Sequence, residues 1–215
     1  MLVSTQHKFV LLSNTKCGST SLVHSLADHV QGVFHTDHRL RHTNFRVYRS
    51  KFLPFLREQI GDEADDLEVL CLMREPLDWL TSWYRFRARA ELADPGHPRH
   101  GEYTGGMRWA DFLEGYIGIP FEQRPPWAKV GTQADFIVGE HDRAEGITLF
   151  RYEDFAALVD YLQHKVGAKL DILEWNVSPK MDVEPTGKDH LDLLSIIFHK
   201  DYDIYRRIKP GGTRF

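Results

Sequence analysis

The stretch Phe9-Val-Leu-Leu-Ser-Asn-Thr-Lys16-Cys17-Gly18-Ser19-Thr20-Ser21-Leu-Val-His-Ser-Leu-Ala-Asp-His-Val30 decides how this chain is read. The apolar run from Phe9 to Leu12 predicts a buried strand. A loop of small polar residues follows, with one lysine and one glycine. Leu22, Val23, Leu26 and Val30 then recur at helical spacing, and Gly32 reads as the stop signal. Strand, small-residue loop and helix N-terminus in succession make an anion site. Backbone N–H groups and the positive end of the helix dipole converge there on one point. Lys16 adds a full charge, Ser19, Thr20 and Ser21 add hydroxyl donors, and the small side chains let a phosphate approach the backbone. The common nucleotide loop ends Gly-Lys-Ser/Thr, whereas here Lys16 precedes Gly18 and no glycine stands earlier. The competing reading is a plain strand-to-helix turn with a Ser or Thr cap.

Composition narrows the class. The 215 residues are enough for one α/β domain with a sizeable core, and 42% hydrophobic with 27% charged content is ordinary for a globular protein. A net charge of −4 argues against a fold built to coat nucleic acid, although a local basic groove is compatible with it. The two cysteines, Cys17 and Cys71, give neither a disulfide framework nor a paired metal signature, and Cys71 reads as a small buried hydrophobe. No run approaches the ~18 apolar residues of a membrane span. The first strand begins almost at once, with no room for a signal peptide, so a cytoplasmic location is expected.

Further along, Gly32 to His35 is a short apolar step, and His35, His38 and His42 crowd together around Asp37. Phe52, Leu53, Leu56 and Ile60 predict a helix, with Pro54 near its start or at a kink. Leu67 to Met73 is nearly all apolar, as in a strand buried on both faces. Pro76 then opens a helix carrying Trp79, Leu80, Trp83 and Tyr84 on one face, an aromatic set read as packing. Residues 94–106 and 118–132 are loops. Ile147 to Tyr152 is a strand, followed by a helix that Gly167 stops. Thr186-Gly-Lys-Asp189 resembles a capping box before a last helix running to Tyr205, and the tail from Lys209 reads as loose. Strands alternating with helices imply a central parallel sheet flanked by helices, with ligands beyond the carboxyl ends of the strands. Lys16 and Arg74 both stand just past such an end.

At this point a resemblance becomes specific. Thr15-Lys-Cys-Gly-Ser-Thr-Ser-Leu resembles the 5′-phosphosulfate loop of sulfotransferases that use 3′-phosphoadenosine 5′-phosphosulfate (PAPS). Met73-Arg-Glu-Pro-Leu-Asp-Trp-Leu-Thr-Ser82 resembles their 3′-phosphate segment, and Phe150-Arg-Tyr-Glu-Asp-Phe a third element that opens a late helix. Thr132-Gln-Ala-Asp-Phe-Ile and Asn176-Val-Ser178 are similar to the carbohydrate-type and small bacterial branches. The likeness runs from about Phe9 to about Tyr205 and implies one sulfotransferase-like domain over residues 1–215, a three-layer P-loop-type α/β fold. It implies that Lys16, Gly18, Ser19, Thr20 and Ser21 hold the 5′-phosphosulfate, with Cys17 contributing its backbone N–H. It implies that Arg74 and Ser82 hold the 3′-phosphate, with Ser178 and Lys180 closing over it from a late loop. Many members have Pro where Thr15 stands and Asp or Asn where Glu75 stands, and neither change removes a phosphate ligand.

The implied reaction moves a sulfuryl group in line to an acceptor hydroxyl or amine. Catalysis then rests on positioning and charge stabilisation, with Lys16 and the loop N–H groups at the leaving oxygen. No metal is required, since sulfate carries less charge than phosphate. The acceptor proton needs a base. Histidine titrates near neutrality, and Arg41-His42-Thr43 resembles a step of the small bacterial members, so His42 leads, followed by His38 and His35. The same histidines with Asp37 have the composition of a metal site, but nothing else in the sequence supports one. Cys17 as a phosphatase nucleophile lacks an arginine closing its loop. Arg151 and Tyr152 end a strand on the binding edge, to touch a nucleotide or to brace the loop. His97, Arg99, His100, Tyr103, Arg124 and Trp127 suit an acidic or sugar-like acceptor by composition; a glycan, a lipid head group, a phenol and a small metabolite all fit. The alternatives are a P-loop small-molecule kinase, which would want Gly-Lys-Ser/Thr and a Mg²⁺-holding Asp, and a non-catalytic nucleotide-binding protein.

Overall fold

Three apolar runs build the middle of the sheet in a computed structural model that describes residues 1–139, 143–173 and 181–215. In chain order the strands are β1 (Leu2–Ser4), β2 (Phe9–Leu12), β3 (Gly32–Val33), β4 (Glu68–Met73), β5 (Ile147–Arg151) and β6 (Thr213–Arg214). The helices are α1 (Ser19–Leu26), α2 (His38–Arg41), α3 (Phe45–Val47), α4 (Leu53–Ile60), α5 (Pro76–Arg87), α6 (Trp109–Ile117), α7 (Ala134–Ile137), α8 (Phe155–Val166), α9 (Lys188–Ile197) and α10 (His199–Arg207). A π turn, Tyr48–Phe52, joins α3 to α4, with Pro54 in the first turn of α4 just past it. The chain divides into two compact units: residues 1–75, 133–175 and 203–215, and residues 76–132 and 176–202.

The first unit holds the sheet, of order β3-β1-β2-β4-β5-β6. It is mixed rather than parallel throughout. Only β2, β4 and β5 run parallel, while β1 pairs antiparallel with both β2 and β3, and β6 antiparallel with β5. The reason lies in the connections. Parallel neighbours need long crossovers, which follow β2 and β4, whereas only the short turn at residues 5–8 separates β1 from β2 and forces an antiparallel hairpin.

Alternation along each strand divides the core. Val10 and Leu12, Val69, Cys71 and Met73, and Ile147 and Leu149 pack in one cluster with Phe45, Tyr48 and Leu53 of the α3–α4 segment and with Ala134 and Ile137 of α7. The registers Val10↔Val69 and Val69↔Ile147 put these residues side by side. On the opposite face Phe150 meets Tyr161 of α8, and the Glu68 carboxylate accepts from Tyr161 Oη, Thr148 Oγ1 and Lys165. Cys71 is fully buried and its thiol is pushed up to about 12 by desolvation, as a packing residue should be.

The second unit is helical and aromatic. Trp79 of α5 meets Trp83 and Phe198 edge-on, and Tyr84 packs on Trp109 and Phe112 of α6. This is the packing role expected of that aromatic set.

Four local expectations change. Gly32 opens β3 instead of stopping α1, which ends at Leu26 and runs into a 3₁₀ turn at Ala27–His29. The last helix is two helices, α9 and α10, parted at Phe198. Thr186 forms no capping box: the residue before α9 is Gly187 without a side-chain cap, and Thr186 Oγ1 instead accepts from Trp109 Nε1 at 3.0 Å. The tail is ordered as β6. Gly211 N donates to Asp154 and Lys209 N to Thr213 Oγ1, so glycines that read as loose chain make the turn returning the backbone to β5.

Candidate functional site

β2 delivers the chain to the sheet's carboxyl edge, and the loop that follows is held in an unusual conformation. Lys16 has φ 61°, left-handed for a residue that carries a Cβ, and Gly18 has φ 68° at the N-cap of α1. Gly18 also has no room for a side chain, because an added Cβ would lie 2.9 Å from the Phe155 ring and 3.4 Å from that of Tyr152. No side chain caps α1, so the Ser/Thr-cap reading does not hold. Cys17 faces inward, 1% exposed, with its thiol well above the usual range through burial. A thiol held protonated in the core is no nucleophile.

One residue ties the loop to the neighbouring strand. Gln133, fully buried, accepts through Oε1 from Arg74 N at 2.9 Å and Asn14 Nδ2 at 3.2 Å, and donates through Nε2 to Arg74 O at 2.7 Å. Asn14 Nδ2 also donates to Leu72 O at 3.0 Å. The ends of β2 and β4 are thus fixed against each other by two buried carboxamides. The Arg74 guanidinium lies 4.5 Å from the centroid of the Tyr152 ring and donates to the Lys16 carbonyl at 3.2 Å. Tyr152 therefore braces both Gly18 and Arg74. Glu153 accepts from Glu75 N at 2.8 Å and from Tyr205 Oη at 2.8 Å, which spends its carboxylate on the scaffold.

The histidine region closes on the same loop. Asp37 caps α2 by accepting from Arg39 N and Leu40 N, and its carboxyl is held well below the usual range by the Arg39 guanidinium. Arg41 donates to Thr20 Oγ1 in the first turn of α1, and its Nε is buried with no hydrogen-bond partner among the described residues. His42 Nδ1 lies 2.6 Å from the Ser13 carbonyl, so Nδ1 carries the proton and donates while Nε2 keeps its lone pair. Burial pushes His42 down to about 4, aided by the charges of His38, Arg41 and the Met1 amino group. The expectation of a base titrating near neutrality is thereby corrected: His42 is a neutral acceptor at pH 7, and a weak one. His38 is exposed, with its ring centroid 4.8 Å from that of His42, and His35 is exposed with its ring 6.4 Å from that of His24. Among the described residues no group of three or more His, Cys, Asp or Glu side chains is arranged to hold a metal ion.

Lys16, Cys17, Gly18, Ser19, Thr20, Ser21, Arg41, His42 and Arg74 thus belong to one unit, and around the loop hydrogen bonds join Lys16 to Arg74, and Thr20 to Arg41. Ser82 lies in α5 of the other unit and is buried. Ser178 and Lys180 lie outside the described residues. The donors fit an anion: two guanidinium groups, a lysine and an uncapped helix N-terminus, with the Glu153 carboxylate already engaged.

The loop residues named for an acceptor are largely structural. Arg124 stacks 4.1 Å from the Tyr116 ring and donates to the carbonyls of Ile119 and Val130. Trp127 packs so closely on Gly115 that an added Cβ would lie 2.2 Å from its ring, and Arg99 pairs with Glu102 at 2.7 Å. His97 accepts from Arg99 N, and His100 contacts the Leu92 carbonyl and stacks on Tyr103. Gln133, Asn14 and Arg41 went unassigned in the sequence. The signal for Arg41 was present, since it adjoins His42 in the quoted Arg-His-Thr step.

The chain matches no family model, no curated protein and no solved structure among those compared. No helix among the described residues is long and apolar enough to cross a membrane.

Proposed function

We propose that the chain is a PAPS-dependent sulfotransferase acting on a hydroxyl or amine acceptor, of which a carbohydrate is one candidate. The observation that carries this reading is the joining of two cationic elements: the left-handed Lys16–Gly18 loop at the uncapped start of α1, and Arg74, bonded to that loop at 3.2 Å. A donor with phosphate at one end and phosphosulfate at the other asks for two such elements. When bound, PAPS supplies a sulfuryl group whose S–O bond to the 5′-phosphate breaks as a bond to the acceptor oxygen forms, leaving adenosine 3′,5′-bisphosphate. The loop N–H groups, Lys16 and Thr20 hold the end where negative charge grows, and Arg41 orients Thr20. Arg74, stacked on Tyr152, holds the other end. His42 Nε2 takes the acceptor proton, with Nδ1–H fixed on Ser13 so that the lone pair stays on Nε2. A base this weak serves a reaction in which the proton leaves late, after sulfur–oxygen bonding has acidified the acceptor. His38, beside it, is the second candidate.

Titration calorimetry with adenosine 3′,5′-bisphosphate, against AMP and ATP with Mg²⁺, tests the reading. The expected result is binding that needs the 3′-phosphate and weakens by roughly 1.5–3 kcal/mol in Arg74→Ala, the scale of a charged hydrogen bond. A preference for ATP with Mg²⁺ would overturn it in favour of a kinase.

A further inference from the structure

A cleft of about 460 Å³ opens where β4 and β5 begin, at the end of the sheet opposite the Lys16 loop and wholly within the first unit. Its apolar lining includes Leu53, Leu67 and Val69, each at most 7% exposed. Its polar lining comes from Tyr48 and Arg49 of the π turn, Asp65, Glu68 at the start of β4, and Arg214 of β6. Apolar walls with a few polar groups are the usual build of a small-molecule site.

Donors and acceptors in this cleft do not balance. The carboxylates are already used. Asp65 is gripped by Arg57, 2.6 Å from Nη2 and 3.0 Å from Nε. Glu68 accepts from Tyr161, Thr148 and Lys165. Of the acidic turn beside the cleft, Asp66 is paired with Lys8, and Asp62 and Glu63 do not line the walls. The donors, by contrast, are unused. Tyr48 is 1% exposed, yet its hydroxyl has no hydrogen-bond partner among the described residues. The charges of Arg49, Asp65 and Arg57 act on that hydroxyl, which sets it among them at the cleft wall. Burial pushes it up to about 12, so it keeps its proton and donates. The guanidinium groups of Arg49 and Arg214 likewise make no ion pair or hydrogen bond among the described residues.

A buried phenol without an acceptor and two guanidinium groups without a carboxylate are completed by an anion, since an unpaired buried polar group costs about 1–3 kcal/mol. The wall charges select which anion. A phosphate dianion meets Asp65 and Glu68 with twice the repulsion that a monoanion does. A planar carboxylate also matches the guanidinium fork, and the apolar lining takes a hydrocarbon body behind it.

We propose that this cleft binds a small organic monocarboxylate, its carboxylate on Arg49, Arg214 and the Tyr48 hydroxyl and its apolar body on Leu53, Leu67 and Val69. The site is separate from the Lys16 loop and does not rest on the sulfuryl-transfer reading.

The test is equilibrium dialysis of the purified chain with radiolabelled benzoate. Saturable binding is expected, with the neutral counterpart benzamide and with phenyl phosphate each competing about tenfold less well than unlabelled benzoate. Arg49→Gln with Arg214→Gln is expected to abolish binding; both positions are exposed, and circular dichroism verifies that the variant folds. Tyr48→Phe is expected to weaken binding about tenfold without lowering the urea midpoint, because the hydroxyl holds nothing in the free protein. Arg74→Ala is expected to leave benzoate binding unchanged. The absence of saturable binding overturns the proposal. So does binding that survives the double arginine variant, or phenyl phosphate competing better than benzoate. Binding lost in Arg74→Ala overturns it too, since that would put benzoate on the Lys16 loop.

Discussion

Gln133 and Arg74 are bonded in both directions: the Gln133 carboxamide accepts the Arg74 N–H at 2.9 Å and donates to the Arg74 carbonyl at 2.7 Å. This reciprocal pair, fully buried on the glutamine side, holds the residue just past β4 where its guanidinium meets the Lys16–Gly18 loop. Gln133→Leu keeps the volume and removes every partner. It leaves the Arg74 N–H and carbonyl without their glutamine partner, and Asn14 without one of its two acceptors. The expected loss is roughly 3–5 kcal/mol in urea unfolding, together with weaker anion binding. A change below about 1 kcal/mol would mean that water replaces the carboxamide.

Gly18 answers two demands at once, a φ of 68° and a gap too small for a Cβ. Gly18→Ala should cost about 1–3 kcal/mol. Adding Phe155→Leu should recover the steric part alone, because the left-handed backbone stays unfavourable. Full recovery in the double variant would show that the backbone conformation carries no cost.

Arg41 reaches from α2 to Thr20 Oγ1 in the first turn of α1. Arg41→Met keeps the length of the side chain and removes the charge. Affinity for adenosine 3′,5′-bisphosphate is expected to fall by about tenfold or more, and Arg41→Lys to recover part of it, since lysine supplies the charge without the planar fork. Calorimetry reads both; equal affinity in all three proteins would remove Arg41 from the site.

His42 sets a pH dependence. Its folded value of about 4 lies below the ordinary 6.5, so the unfolded chain binds the proton more readily. Stability is therefore full above pH 6.5, falls as pH drops towards 4, and levels off below that. The total is on the order of 3 kcal/mol. The Met1 amino group, pushed down to about 5 by burial, titrates in an overlapping range, so the comparison with His42→Asn carries the test. Urea unfolding from pH 4 to 7 should show a smaller slope in the variant. Equal slopes would mean that folding leaves the His42 titration unchanged.

Much of the frame was legible in the chain because its signals are local. Apolar runs at Phe9–Leu12, Glu68–Met73 and Ile147–Arg151 are strands because a strand covered on both faces needs apolar residues throughout. The loop at Lys16 and Gly18 was legible because small residues between a strand and a helical repeat have few other uses. Less local features escaped. β6 is only two residues, Thr213–Arg214, and exists because β5 offers an edge; nothing in the tail's composition announces it. The capping box at Thr186 failed for a similar reason, since the indole of Trp109, distant in sequence, takes the hydroxyl.

The sequence by itself determined the α/β class, the strand–loop–helix with its lysine and glycine, and the placement of Arg74 just past β4, since each follows from residue type and spacing within a dozen positions. Only the tertiary structure decided that the sheet is mixed, that Gln133 clasps Arg74, that Arg41 aims at Thr20, and that His42 is neutral at pH 7. Those depend on burial and on partners brought together from far along the chain. Desolvation and hydrogen bonding act on where a group ends up in space, which no local pattern encodes.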